Sequence, residues 1–212
     1  MKKLTVAALA VATLLSGSAF AHEAGEFFMR AGSATVRPTE GAGGTLGSLG
    51  GFSVTNNTQL GLTFTYMATD NIGVELLAAT PFRHKIGTRA TGDIATVHHL
   101  PPTLMAQWYL GDASSKFRPY VGAGINYTTF FDNGFNDHGK EAGLSDLSLK
   151  DSWGAAGQVG VDYLINRDWL VNMSVWYMDI DTTAKYKSGV TTVKDSVRLD
   201  PWVFMFSAGY RF

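Results

Sequence analysis

Apolar residues recur at every second position in segments of about ten residues, and turn-forming residues separate these segments. The clearest runs from Gln59 to Met67, where Leu60, Leu62, Phe64 and Tyr66 share one side and Gln59, Gly61, Thr63 and Thr65 the other. After Thr69-Asp70-Asn71, a tight turn, Ile72, Val74, Leu76, Ala78 and Thr80 face outward, with Gly73, Glu75 and Leu77 inward. Period two is the mark of a β-strand with two unlike faces. Further strands are predicted at about 26–37, 99–110, 118–131, 153–165, 169–182 and 197–212, which brings the count to eight.

The predicted connections alternate in length. Those at 69–71, 111–117 and 166–168 are short, whereas 38–56, 83–98, 132–152 and 183–196 are long and polar or glycine-rich. Short periplasmic turns opposite long extracellular loops characterise outer-membrane barrels. The more apolar face also carries the aromatics near strand ends, including Tyr66, Trp108, Trp153, Trp169 and Trp202. A soluble barrel would turn that face inward, whereas a membrane barrel places such girdles at the lipid interfaces. The expected fold is therefore all-β: an eight-stranded antiparallel transmembrane β-barrel, with both termini periplasmic and long extracellular loops.

The segment 1–21 reads as a signal peptide. Lys2 and Lys3 precede an apolar stretch from Leu4 to Leu15, and Ala19-Phe20-Ala21 is a cleavage site, which makes His22 the expected mature N-terminus and 22–212 one barrel domain. Without Lys2 and Lys3, the 17 basic residues fall to 15 against 18 acidic ones, a charge of −3. That balance argues against a nucleic-acid partner. The chain has no cysteine, so disulfides and thiolate metal sites are excluded. At the other end, Trp202, Phe204, Phe206, Ala208, Tyr210 and Phe212 alternate to the last residue. This strand resembles the C-terminal assembly signal of outer-membrane barrels, with Tyr210 and Phe212 as the residues read by the barrel-assembly machinery.

The inward face suggests what the barrel holds. Leu77, Met105, Trp176 and Met205 fall near mid-strand, and Tyr109, Phe130 and Met178 share their face at other heights. Arg30, Glu75, Asp162 and Arg211 are inward charges that could pair across the lower lumen, since an unpaired buried charge is costly. The apolar middle has two readings: a dry plug of the kind expected at this strand number, or a pocket for small apolar molecules lined by adaptable methionines. Leu77 and Trp176 are candidates for a constriction. Pro81, Pro101 and Pro102 lie on one hairpin, and proline removes a ladder donor. They either end their strands or open a lateral gap in the wall.

Other candidate chemistry is weaker. His84, His98 and His99 are read as loop histidines, because adjacent residues point to opposite faces and no ligand spacing is evident. A lipid-modifying enzyme would need Ser152, His98 or His138, and Asp93 to converge, and no strained nucleophile motif accompanies them. The expectation is a non-enzyme with no cofactor and no metal site.

From Met1 to Phe212 the chain resembles the outer membrane protein W family, notably in Ala24-Gly25-Glu26-Phe27-Phe28-Met29-Arg30-Ala31-Gly32, Pro101-Pro102-Thr103-Leu104, Arg118-Pro119-Tyr120-Val121-Gly122-Ala123-Gly124-Ile125-Asn126-Tyr127 and Asp200-Pro201-Trp202. The resemblance implies a small barrel with a hydrophobic lumen in the outer membrane of a Gram-negative bacterium, among its lipid and lipopolysaccharide. It also implies uptake of small hydrophobic compounds. The alternative it leaves is a sealed structural or stress-response barrel whose loops receive colicins or phages.

Overall fold

The computed structural model describes residues 22–48, 50–89 and 91–212. The expected signal peptide, with Ala21, lies outside the described residues. In chain order the strands are β1 (Phe27–Arg37), β2 (Gly41–Ala42), β3 (Ser53–Val54), β4 (Asn57–Met67), β5 (Ile72–Ala79), β6 (Phe82–Thr88), β7 (Gly92–Leu100) and β8 (Thr103–Tyr109). They continue as β9 (Phe117–Phe135), β10 (Leu144–Leu149), β11 (Ser152–Leu164), β12 (Trp169–Met178), β13 (Asp181–Ser188), β14 (Thr191–Arg198) and β15 (Trp202–Arg211). Two one-turn helices, α1 (Gly44–Ser48) and α2 (Asp137–Glu141), sit in the connections.

Eight of these strands form the closed antiparallel barrel in the order β1, β4, β5, β8, β9, β11, β12, β15. The last strand returns to the first, with Phe28 opposite Arg211 at one end and Arg37 opposite Trp202 at the other. Closure leaves no unpaired edge, which a sheet in lipid cannot tolerate. Burial follows the expected parity: Val74, Leu76, Trp108, Ile125, Trp153, Met173, Phe204 and Phe206 are exposed, while their neighbours in sequence turn into the barrel.

The three short turns and both ends of the barrel domain lie together. Phe212 N donates to the Phe27 carbonyl at 2.9 Å, and Arg211 N to the Asp168 carbonyl at 2.8 Å. Side chains make these turns self-sufficient. Thr69 Oγ1 accepts from the amides of Asn71 and Ile72, and Asn166 Oδ1 from those of Asp168 and Trp169. In the wall, Gly124 permits a close approach: a Cβ there would strike the Leu104 carbonyl and lie 2.7 Å from Met105 Sδ, a lumen atom.

At the opposite end the structure departs from the expectation of long irregular loops. The expected loops 83–98 and 183–196 are hairpins. β6 and β7 pair with each other, with β3 and with the upper part of β9, while β13 and β14 pair with β10 and β2. These two sheets carry the barrel upward as an extracellular head. The expected strand 99–110 is interrupted at Pro101-Pro102, 169–182 at Asp179-Ile180, and 197–212 at Leu199 to Pro201. Alternation continues through these breaks. Phe82, His84 and Ile86 are buried while Arg83 and Lys85 are exposed, as a strand above the lipid band requires.

The head is tied down by a carboxylate. Asp195 of β14 accepts from the first amides of α1, Thr45 at 3.0 Å and Leu46 at 2.9 Å, and from Tyr186 Oη at 2.8 Å. Residues 41–48, within the glycine-rich connection expected at 38–56, are thus anchored over the barrel mouth. Burial and the neighbouring Asp195 carboxylate push the Tyr186 phenol above its usual range.

Candidate functional site

The lumen has three tiers, and the lowest is ionic. Arg30 of β1 reaches across the barrel to Asp162 of β11, with Nε to Oδ1 at 3.0 Å and Nη2 to Oδ2 at 2.5 Å. Its Nη1 contacts Glu75 of β5 and donates to Thr65 Oγ1 at 3.2 Å. Gln107 and Gln158 each donate to Glu75 Oε1 at 2.8 Å, and Asn172 donates to Asp162 Oδ1 at 2.8 Å. Every one of these side chains is buried. A charge taken out of water is tolerated only when paired and hydrogen-bonded, and Arg30, Glu75 and Asp162 meet that condition, although Asn172 Oδ1 is buried without a partner.

Three of the four charges expected to pair do so. Arg211 instead pairs with Glu26 below the network, because the strand end places it at the periplasmic rim. Tyr109, expected in the apolar lining, belongs to the floor. Its hydroxyl lies 2.8 Å from Arg30 Nη2 and 3.0 Å from Asp162 Oδ2. It packs in a lower cluster with Phe28, Met67, Tyr120, Leu164 and Leu170. His22 adds to this floor: its ring stacks on Phe28, with centroids 4.6 Å apart, and Nε2 lies 3.1 Å from Asp162.

Above the floor, Leu77, Met105, Trp176, Met178 and Met205 are buried in one continuous apolar cluster that also contains Phe130. Trp176 satisfies its indole N–H locally, donating to Ser174 Oγ at 3.1 Å. Phe130 sits higher than the mid-barrel layer, against His99. The same cluster runs on into the head through Val36, Ile86, Val97, Val197 and Leu199 to Leu46, Ile94 and Tyr186.

The third tier is a cleft in the head lined by Val36, Pro38, Val54, Ile86, Phe130 and Leu199, among others, with His84 and His99. It is closely packed, with a free volume of about 10 Å³, roughly the space of one water. The two histidines correct the sequence expectation. The bends at Pro81 and Pro101-Pro102 carry the hairpin over the mouth and turn one face inward. His84 and His99 then meet in a T-shaped contact, centroids 4.9 Å apart, while His98 points outward to Phe131. Burial lowers the pKa of His84, with His98 adding to the effect against the Thr55 hydrogen bond, and burial with the neighbouring His84 takes that of His99 to about 3.

The prolines interrupt the wall. Pairing of β5 with β8 ends at Leu77 opposite Thr103, and pairing of β6 with β7 begins at Phe82 opposite His99. Ala78 to Pro81 and Leu100 to Pro102 have no register with each other. The freed carbonyls of Pro101 and Pro102 are taken up by Thr103 Oγ1, Asn126 Nδ2 and the Tyr127 amide, at 3.0–3.4 Å. Ala79 at this break packs against the apolar cluster.

The candidate catalytic set does not assemble. Ser152 Oγ is buried without a partner, His98 Nδ1 lies 3.3 Å from the Asp132 carbonyl, and Asp93 pairs with Lys85. Among the described residues no group of three or more histidine or carboxylate side chains could hold a metal ion.

A closed eight-stranded barrel with this lumen has relatives. The OmpW family model matches residues 23–212. The chain belongs to the OmpW family. It is 96% identical over 212 residues to Outer membrane protein W of Escherichia coli K12, covering 100% of both chains. Its fold is similar to the crystal structure of the outer membrane protein OprG from Pseudomonas aeruginosa, with a TM-score of 0.83 and 44% identity over 92% of this chain and 99% of that one. A more distant relative, 27% identical over 77% of this chain and 75% of its own length, is the Dibenzothiophene metabolism operon protein PahQ of Pseudomonas aeruginosa. The protein is thus an outer-membrane β-barrel of a Gram-negative family, set in lipid and lipopolysaccharide.

Proposed function

We propose that the barrel admits small hydrophobic molecules from the extracellular side and releases them sideways into the outer leaflet. The observation that carries this reading is the coincidence of three features: a continuous apolar column, an ionic floor beneath it, and a break in the wall where the column meets the lipid band. A solute descending past Phe130 and Met178 to Leu77, Met105, Trp176 and Met205 meets the Arg30 network, which offers it nothing. The gap at Pro81, Pro101 and Pro102 stands beside the column and has no ladder to break. Affinity comes from apolar burial, about 25 cal/mol per Å², and the process uses no catalytic group or cofactor. A relative's operon name, with its polycyclic thiophene, agrees with such cargo.

Because the column is tightly packed, a solute has to displace side chains, and the unbranched, polarizable methionines are suited to that. The test is uptake of dibenzothiophene by cells lacking the endogenous protein and expressing variants at matched levels. Leu77→Ala with Trp176→Ala is expected to change uptake severalfold. Pro101→Val with Pro102→Thr, which restores ladder donors, is expected to depress it. Uptake unmoved by both pairs, with the barrels folded, would overturn the reading. In the same picture Tyr210 and Phe212 are the contact for barrel assembly, and the ordered head is the surface that a colicin or phage would meet.

A further inference from the structure

The head cleft is apolar except at one point. His84 and His99 both line it, and each is almost fully buried, at 3% and 2% exposure. The Nε2 atoms of both rings are buried and have no hydrogen-bond partner. Buried polar atoms are nearly always paired, so two adjacent exceptions in one cleft call for an explanation. The surrounding residues offer none, since Val36, Val54, Ile86 and Leu199 bring no polar side-chain atom.

The backbone settles what one of these atoms can do. His84 Nδ1 lies 2.5 Å from the Thr55 carbonyl, which only accepts, so Nδ1 carries the proton and donates. In the neutral ring Nε2 is then an acceptor. Burial holds both rings neutral, which agrees with their lowered pKa values. His99, whose ring lies against that of His84, can present Nε2–H as a donor. An acceptor next to a donor is the complement of a hydroxyl, which gives one hydrogen bond and receives another.

We propose that His84 and His99 form a polar recognition point that selects, among apolar molecules, those bearing a hydroxyl group. This rests on the head cleft being the entry for hydrophobic cargo, as proposed above. A hydrocarbon of the same shape leaves both nitrogens unpaired. A carboxylate brings only lone pairs to the His84 acceptor and carries a charge into an apolar cleft. A hydroxyl answers both nitrogens; because the closed cleft has a free volume of only about 10 Å³, the apolar body attached to it enters as the lining side chains give way, along Phe130 toward the Met178 side of the column.

The experiment compares 1-naphthol, naphthalene and 1-naphthoate, each tritiated, for binding to the full barrel in lipid nanodiscs, with empty nanodiscs as the baseline. The expected result is that 1-naphthol binds about tenfold more tightly than naphthalene, the scale of one to two net hydrogen bonds, and that 1-naphthoate binds most weakly. His84→Phe and His99→Phe are expected to bring naphthol and naphthalene to parity without loss of naphthalene binding. His99→Gln keeps a donor and an acceptor in place and is expected to retain the preference. It also serves if a phenylalanine variant does not fold. Equal binding of naphthol and naphthalene by the unaltered protein overturns the recognition point and leaves the apolar cleft standing. A naphthol preference that survives both phenylalanine substitutions overturns it as well. Binding of neither compound above empty nanodiscs removes the cleft as an entry, and the recognition point with it.

Discussion

Replacing Arg30 by methionine is the sharpest perturbation of the lumen. Arg30 is 1% exposed, and Glu75 and Asp162 are each 0% exposed. Methionine keeps much of the volume and removes the guanidinium shared by the two carboxylates. Each would retain other donors: Gln107, Gln158 and Thr65 on Glu75, and Asn172, Tyr109 and His22 on Asp162. The amide and hydroxyl donors among them stabilise a buried charge less than a guanidinium at 2.5–3.0 Å does. Breaking a buried pair by removing one partner typically costs about 3–5 kcal/mol, and that is the expected loss. Urea unfolding from lipid vesicles, followed by tryptophan fluorescence, reads it. A second variant separates charge from packing: Arg30→Met with Glu75→Gln and Asp162→Asn removes the uncompensated charges, so it is expected to be more stable than the single variant. The reasoning fails if Arg30→Met costs under about 1 kcal/mol, or if the triple variant is the less stable of the two.

Two further predictions concern the head. The pKa of His99 is depressed by burial from its ordinary 6.5 to about 3, so an opened head binds more protons than the closed one between those values. Stability of β6 and β7 is therefore full above about pH 6.5 and declines as the pH falls toward the folded value. His84 acts in the same direction, and Arg83 and Lys85 on the same strand add positive charge. At pH 4.5, protection of the β6 and β7 amides against hydrogen exchange, corrected for intrinsic rates, should be lower than at pH 7.5 by about a hundredfold; equal protection would count against a neutral, buried His99. Asp195→Ala removes the acceptor of two α1 amides and of Tyr186 Oη, so about 1–3 kcal/mol of local stability should go. Limited proteolysis of intact cells should then cut within 43–48, and an unchanged digestion pattern would show that Asp195 does not hold this segment.

The membrane-spanning half of the fold was legible because lipid imposes a strict rule there. Every second residue is apolar, so Leu76, Ile125, Phe204 and their kind mark strand and face together. The head was not legible for the converse reason. Above the lipid its outer face is polar, so Arg83, Lys85, Lys185 and Lys187 look like loop residues although Phe82, His84, Ile86, Ala184 and Tyr186 keep the inward period. The prolines that suggested a gap also disguised the continuation of the hairpin beyond it. In the lumen, parity identified the inward set but not its height, which is why Tyr109 was grouped with the apolar layer rather than with Arg30. His22 lies outside any predicted strand, and Tyr120 shares the inward parity of Phe130 but not a legible height; only the closed barrel brings them to Asp162 and Asn172. The meeting of His84 and His99 depends on the register Phe82 to His99, a long-range fact.

Under the proposed function, the ionic floor would give the molecule an unusual energetics of traffic. A pore open at both ends equalises two aqueous compartments, and its flux is set by their concentrations. On the lateral route proposed above, a vessel stoppered below by Arg30, Glu75 and Asp162 and vented at the side would equilibrate water with lipid instead. Its driving force is then the partition coefficient of the cargo, and its natural end point is saturation of the outer leaflet. Ions and sugars, which do not dissolve in lipid, would find a dead end, so the envelope could carry many copies without becoming leaky.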